Sequence, residues 1–509
     1  MKWIFLLCFL LFMVKNGSAQ ITFQKTYGGP CCDWGTSVKQ TADGGYIIAG
    51  TNNGPDLYLF RTNGNGDLLW AKSYGGTGYD FGYAVQQTTD GGFVLVGNTD
   101  SFGAGAKDVY LIRTDANGDA LWTKTFGGAG NDEGFSVQQT SDGGYIMTGR
   151  TNSFGTYDVY VIKTDASGNL LWSKTYGGTL GDKGSSVEQT TDGGYIITGE
   201  TSSFGAGASD IYLIRTDSIG SVLWSKTFGE TFEEHAYSGQ QTSDGGFILT
   251  GETQNGSSVC LIKSDANGNA LWSKNYSTMD DDNGYSVQQS SDGGYIIAGK
   301  ILSLSAPNSD AYLIKTNSTG DTLWTKTLGG SGYDACNAVE QTNDGGYILV
   351  GSIGSFGSPY HVYLIKTDVN GNSGCNETNA ITYVSVPATI VTTPATLTAS
   401  PNTVVTTPAT NIVVGGADST LCTTVGINEL SETNTFLVFP NPFSNELIVT
   451  SGDGMYAEFI LYDMSLRKLL QQKVTSGVSI NTEILAKGIY LYELRNESGL
   501  RKQGKVVKD

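Results

Sequence analysis

Seven copies of one short pattern constrain what this chain can fold into. The pattern is Gln-[Thr/Ser]-x-Asp-Gly-Gly-[Tyr/Phe], and its Asp falls at Asp43, Asp90, Asp142, Asp192, Asp244, Asp292 and Asp344. Successive copies lie 47, 52, 50, 52, 48 and 52 residues apart. A period near 50 belongs to arrays whose units bury their apolar faces only against their neighbours.

One unit, Phe135 to Gly178, reads as four strands. Ser136–Thr140 is short. The Ser-Asp-Gly-Gly turn follows, with Gly supplying positive φ without a steric penalty. Tyr145–Gly149 is a continuous apolar run, as expected of a strand covered on both faces. A Gly/Ser loop leads to Asp158–Thr164, rich in Val, Ile and Tyr. The turn Asp165-Ala-Ser-Gly168 leads to Leu170–Tyr176, which carries Trp172. Four antiparallel strands per unit, repeated, predict a β-propeller; a β-helix would use a shorter coil. The repeated Trp is expected to staple neighbouring blades. Burying about 150–250 Å² contributes roughly 4–6 kcal/mol gross.

The seventh unit stops after Val362–Asn372, before a fourth strand. The segment "ITFQKTYGG" from Ile21 has the form of that missing strand, with Phe23 in the Trp place. Joining the two would close the ring and remove its open edge. The expected fold class is therefore all-β: a seven-bladed propeller over 20–374 closed by the N-terminal strand, then a Thr/Pro-rich linker over 375–430 and a small Ig-like sandwich over 431–509.

The chain has 509 residues and a formal net charge of −19. That surface repels nucleic acid and anionic membranes. Met1–Ala19 reads as a secretory signal, with Lys2, an apolar stretch Ile4–Val14 and small residues before a cleavage between Ala19 and Gln20. Eleven apolar residues are too few to span a bilayer, and no later stretch reads as a transmembrane helix. Export permits disulfides; Cys375 and Cys422 are the favoured pair, and Cys31, Cys32, Cys260 and Cys336 cannot be paired from sequence.

An acidic residue stands ten positions after each Trp, or after Phe23: Asp33, Asp80, Asp132, Asp182, Glu234, Asp282 and Asp334. Each is expected at the mouth of a channel-lining strand. The bland expectation is that each accepts backbone N–H groups in its turn; the sharper one is a carboxylate ring that takes Ca²⁺ or a polar ligand. The Asp of each Asp-Gly-Gly turn is expected to be structural. Catalysis needs unlike groups in unlike environments, so departures from the repeat are better candidates. "GETFEEHAY" holds Glu230, Glu233, Glu234 and His235, and "STMDDDNGY" holds Asp280, Asp281 and Asp282, on neighbouring units and one face. Such an arc suits solvation, cation or ligand binding, or glycoside hydrolysis by paired carboxylates. No catalytic triad, zinc spacing or nucleotide loop is visible, no cofactor is evident, and the balance leans against an enzyme.

Two resemblances add to this. Asp165-x-x-Gly168-x-x-x-Trp172 is similar to the tryptophan-docking repeat of quinoprotein propellers, which has one more residue before the Gly. The double Gly with nearby Tyr and Trp resembles kelch repeats, where the Gly pair follows the apolar strand instead of preceding it. Both imply a fold only. Pro387, Pro394, Pro401 and Pro408 stand seven apart in a Thr/Pro-rich stretch expected to be an extended spacer open to O-glycosylation. Beyond it, Phe439-Pro440-Asn441-Pro442, Tyr462-Asp463, Lys487-Gly488-Ile489-Tyr490 and Lys505-Val506-Val507-Lys508 closely resemble the type A C-terminal sorting domain of the type IX secretion system. Leu466 departs from that family's usual Gly. The resemblance implies Gram-negative export by that machinery, removal of the domain, and surface attachment or release. The expected function is non-catalytic binding of a glycan or protein, with a glycan-active enzyme and a purely structural protein as alternatives.

Overall fold

A computed structural model describes residues 20–29, 32–52, 56–253, 258–278, 282–302, 308–356, 360–387, 389–407, 411–414, 417–426, 436–439, 443–451, 457–463, 467–474, 478–495 and 501–508. Every regular element among them is a β-strand. The chain divides into one compact unit, Gln20–Gly426, and a second that contains Ile427–Asp509.

The first unit has β-propeller architecture, built from seven five-stranded antiparallel sheets. In the first sheet the order is Trp34–Gln40, Tyr46–Thr51, Leu57–Thr62 and Leu68–Gly75. The second to sixth sheets repeat that order from their own units. In the seventh, Asp334–Gln341, Tyr347–Ile353 and His361–Thr367 are followed by Gln20–Gly28 from the other end of the chain. That opening strand pairs antiparallel with His361–Thr367, Phe23 opposite Lys366 and Tyr27 opposite Val362.

The same staple joins each sheet to the next. Trp172 lies edge-on to Tyr195 of the following sheet, ring centroids 5.9 Å apart. Its indole also packs on Gly220, where an added Cβ would lie 3.0 Å from the ring. Gly220 has φ +76°, which the turn requires, so the ring sits where any side chain would intrude. Phe23 does this at the junction of the seventh and first sheets, 6.2 Å from Tyr46 and against Gly66. A circle of side-chain carbonyls adds to the join: the Gln189 Oε1 accepts from Ser141 N at 2.8 Å, and Gln40 Oε1 accepts from Asn343 N at 2.8 Å across the seventh–first junction.

The turn Asp residues are structural. Asp142 accepts from Thr140 Oγ1 at 2.5 Å and Gly144 N at 3.0 Å, and pairs with the buried Lys163 at 2.9 Å. Arg61, Arg113, Arg215, Lys263, Lys315 and Lys366 pair with the corresponding Asp of the other sheets.

The expectation of an extended spacer after residue 374 fails. The segment circles the propeller against the order of the sheets and adds a fifth, outermost strand to each. Glu377–Asn379 joins the sixth sheet, Tyr383–Ser385 the fifth, Ile390–Thr392 the fourth and Leu397–Ala399 the third. Val404–Thr406 joins the second, Asn411–Val414 the first, and Ala417–Gly426 lies on the opening strand in the seventh. The physical reason is the open outer edge of every sheet, whose backbone groups this belt satisfies. Its threonines do the fastening. Thr403 Oγ1 bonds Tyr160 Oη at 2.5 Å and Ser173 Oγ at 2.8 Å, and Thr396 repeats both bonds on Tyr212 and Ser225. The seven-residue Pro spacing is the step from one sheet to the next.

Cys375 and Cys422 are joined by a disulfide, and their backbones meet at the opening strand: Gln24 pairs with Cys422 and donates Nε2 to the Cys375 carbonyl at 2.5 Å. Cys260 and Cys336 are free and buried, and Cys32 is disulfide-bonded. Cys31 lies outside the described residues.

The second unit holds a three-stranded sheet (Phe436–Phe439, Glu446–Ser451, Val478–Asn481) and a four-stranded one (Lys468–Val474, Ala457–Tyr462, Gly488–Arg495, Arg501–Lys508). Leu447, Val449 and Ile480 of the first share one core with Phe459, Leu461, Tyr490, Tyr492, Leu494 and Val506 of the second.

Candidate functional site

The seven acidic residues after the Trp stand at or just before the innermost strands, and none is more than 2% exposed. Each accepts a backbone N–H from the residue four earlier. Asp33 takes Gly29 N at 2.7 Å, Asp80 takes Gly76 N at 2.9 Å, Asp132 takes Gly128 N at 2.8 Å and Asp182 takes Gly178 N at 2.9 Å. Glu234 takes Glu230 N at 3.1 Å, Asp282 takes Thr278 N at 2.7 Å and Asp334 takes Gly330 N at 2.8 Å. Ser101, Ser153, Ser203 and Ser355 hydroxyls bind Asp80, Asp132, Asp182 and Asp334 as well. These carboxylates tie turns to strands inside the wall. They do not stand on the open mouth.

Sequence reading missed their partners. Asp56, Asp108, Asp158, Asp210 and Asp310 stand at the start of the third strands, and each faces the acid of the next sheet over one glycine. A Cβ on Gly127 would lie 2.3 Å from Asp108 Oδ1 and 2.5 Å from Asp132 Oδ2, so only glycine fits between them. Burial, then Asp132, pushes the Asp108 carboxyl up to about 6; burial, then Asp182, does the same to Asp158. At the seventh–first junction His361 takes the place of the first acid, with Nδ1 3.8 Å from Asp33. The signal was present in the sequence as a repeated Asp before the apolar third strand. Among the described residues no three His, Cys, Asp or Glu side chains are placed to share a metal ion.

Glu234 is the one acid of the ring with an extra methylene. Its neighbourhood encloses a cavity of about 20 Å³ lined by Glu230, Glu234, Thr253, Cys260 and Asn275 among others. Glu234 Oε1, Thr253 Oγ1 and Asn275 Oδ1 are buried there without a partner, and the space suits one water. Burial, then Asp210, raises the Glu234 carboxyl to about 7. Glu230 and Glu233 lie half-buried in the preceding loop. Asp280 and Asp281 lie outside the described residues, as do Ala19, Pro440, Asn441 and Pro442. Gln20 opens the first strand; Gly488, Tyr490, Lys505 and Lys508 lie in the paired strands Gly488–Arg495 and Arg501–Lys508.

Where the sheets differ from one another is the channel. A β-bulge interrupts every innermost strand at its third or fourth residue, for example between Gly134 and Ser136. The extra residue is Thr36, Tyr83, Phe135, Ser185, Tyr237, Tyr285 or Asn337, and all seven line a central channel of about 300 Å³. Bulges re-aim a side chain out of the ladder, and this position has not kept one residue type. Tyr83 meets Phe135 edge-on at 5.0 Å, and Tyr237 meets Tyr285 at 5.1 Å. Lys183 Nζ stands over both Phe135 and Tyr237, at 5.3 and 5.9 Å.

Around them lies an asymmetric mouth. On one side His235 Nδ1 is 2.7 Å from Glu200, Lys183 is 4.0 Å from the same carboxylate, and Glu133 pairs with Arg150 and, at 3.8 Å, with Lys107. The Glu200 bond raises the His235 pKa. Burial would raise Glu200, but His235 and Lys183 together hold it below the usual range. Aromatic rings adjoin these charges: Tyr79 stacks on Phe81 at 6.2 Å and is 63% exposed, Lys107 Nζ stands 5.7 Å from the Phe81 ring, and Trp34 is 39% exposed. Of the sequence candidates among the described residues, His235 belongs to this mouth.

Residues 437–509 match the family described as the secretion system C-terminal sorting domain. This domain marks the chain for type IX export to the cell surface or the medium. No curated protein sequence matches the chain. Among solved structures, the extracellular domain of a putative one-component system of B. thetaiotaomicron is similar at 10% identity, over 94% of this chain and 57% of that one, with TM-score 0.39. Puromycin hydrolase is similar at 13% identity, over 72% and 57%, with TM-score 0.42. A protein of unknown function from Dyadobacter fermentans DSM 18053 is similar at 13%, over 69% and 98%, with TM-score 0.37. This chain thus spans little more than half the length of the first two, and likenesses at this level carry no argument about activity. No helix among the described residues is long and apolar enough to cross a membrane.

Proposed function

We propose that this protein is a surface-displayed or secreted binding module, a closed propeller of seven blades that takes a glycan or protein ligand at its channel mouth. In this reading the mature chain starts at Gln20, the opening strand completes the seventh blade, and the C-terminal pair of sheets is an Ig-like sorting domain. The observation that carries the reading is the bulge position: a scaffold that repeats its structural residues seven times varies the bulge residue that lines the channel. Four of the seven are aromatic, and exposed Trp34 and Tyr79 extend that character outward beside carboxylates and cations. Aromatic faces beside hydrogen-bonding groups suit sugar rings.

An array of polysaccharides and oligosaccharides probed with the protein tests this. Saturable binding that falls at least tenfold in Trp34→Ala or Tyr237→Ala is expected. Binding equal in both variants and the parent would remove the mouth as the site. The alternative, a glycan-active enzyme, has the His235–Glu200 pair as its only support here. Release of sugar by the parent and its loss in Glu200→Gln would establish that alternative instead.

A further inference from the structure

The belt has an end and a beginning that meet. It starts at Cys375, runs past all seven sheets, and returns to place Cys422 opposite Gln24 of the opening strand. The disulfide between them closes a covalent hoop with a sequence separation of 47. Gln24 is fully buried beneath it; its side chain also donates to Ser373 Oγ at 2.8 Å and accepts from Tyr363 and Asn376.

Within the hoop the belt is held by short pieces. Five of its strands are three residues long and one is four. All pair antiparallel along the rim, so a pull on the belt's trailing end would break their bonds a few at a time, sheet after sheet, instead of together. The chain leaves the propeller at Gly426, opposite Gln20, and pulling there unzips the last strand from its free end. After Thr423 the unzipping reaches Cys422. From that residue the covalent path runs directly to Cys375, at the root of the belt, where the chain enters the core of the seventh sheet.

We propose that the Cys375–Cys422 disulfide is a covalent bypass that keeps the encircling belt out of the path of any force applied through the residues after Gly426. Load is carried from Cys422 to Cys375 and into the seventh sheet, while the 46 residues between them stay on the rim unloaded. The belt keeps the outer edges covered, and the part of the opening strand from Gln24 to Gly28 stays clamped between His361–Thr367 and the strand residues up to Cys422.

Single-molecule pulling of the full chain tests this, with one handle at the C-terminus and the other on a peptide tag inserted at the exposed turn residue Ser167. Loss of the belt from the rim lengthens the tether by about 15 nm at roughly 3.3–3.6 Å per residue. With the disulfide intact, no low-force lengthening that totals this amount is expected before the propeller itself gives way. In Cys375→Ser, and in the parent reduced in place after folding, a lengthening of that total is expected at low force, taken in short successive steps as the belt leaves one sheet after another. Unfolding of the second unit contributes equally to all three and drops out of the comparison. The same total lengthening in the oxidised parent, or none after reduction, overturns the proposal.

Discussion

Gly127 and Gly143 show how differently one residue type is used. Gly143 has φ +82° and open space around its Cα, so Gly143→Ala should lose about 1 kcal/mol through backbone strain alone. Gly127 stands between two buried carboxylates, and Gly127→Ala should lose about 1–3 kcal/mol by forcing them apart. Denaturant melts of both variants compare them; equal losses would mean that Asp108 and Asp132 swing clear without cost. The Asp of the Asp-Gly-Gly turn was legible because a short side chain beside Gly-Gly has a local explanation. Asp108 was not, because its partner lies in another repeat, and nothing in the local sequence marks a contact across sheets. The bulge residues escaped for a related reason: an extra residue in a ladder is defined by its neighbour strand, not by its own sequence.

At the scale of the element, the staple and the belt make separate claims. Trp172→Ala removes an edge-on contact with Tyr195 and the packing on Gly220, and should cost about 3 kcal/mol. A thermal shift smaller than that of an exposed control such as Leu171→Ala, whose side chain is 56% exposed, would contradict the staple. Thr403→Val keeps the belt's shape but removes the bonds to Tyr160 and Ser173, leaving two hydroxyls without that partner. About 1–2 kcal/mol is expected, together with faster hydrogen exchange confined to the third sheet and its belt strand. Uniform exchange across the molecule would show that the belt is not fastened sheet by sheet. The Pro spacing of seven was visible from the start. Read as composition, Thr/Pro-rich sequence means a spacer; only the presence of seven open edges makes the same period a set of strands.

For the whole molecule, two sets of carboxylates oppose one another in pH. Those at the junctions, Asp108 and Asp158 at about 6 and Glu234 at about 7, hold protons in the folded state that the unfolded chain has released. Their contribution is full below about pH 4 and is lost as pH rises from there through 6 to 7. Those in the turns, Asp142 and Asp244 at about 2, behave in reverse: theirs is present above about pH 4 and is lost as pH falls toward 2. Together the two sets should place the stability maximum at about pH 4, with a decline from there toward pH 7. A melting temperature that climbs steadily from pH 5 to pH 8 would sink this. Removal of Gln20–Gly29 takes away both the fourth strand of the seventh sheet and the bed of the belt's last strand. The melting temperature should fall sharply, and little change would show that this strand is not needed to join the ends.

The sequence alone determined the repeating unit, its four strands, the staple, the opening fragment's kinship with the fourth strand, and the sorting domain. All of these are written in the chain itself, as periodicity, turn chemistry and motif. The tertiary structure decided what lies between repeats: which acids face one another, which side chains enter the channel, and where the Thr/Pro-rich segment goes. Those depend on edges and surfaces that exist only once the sheets are assembled. A segment whose seven strands pair with seven different sheets carries no sign of any one of them in its own residues.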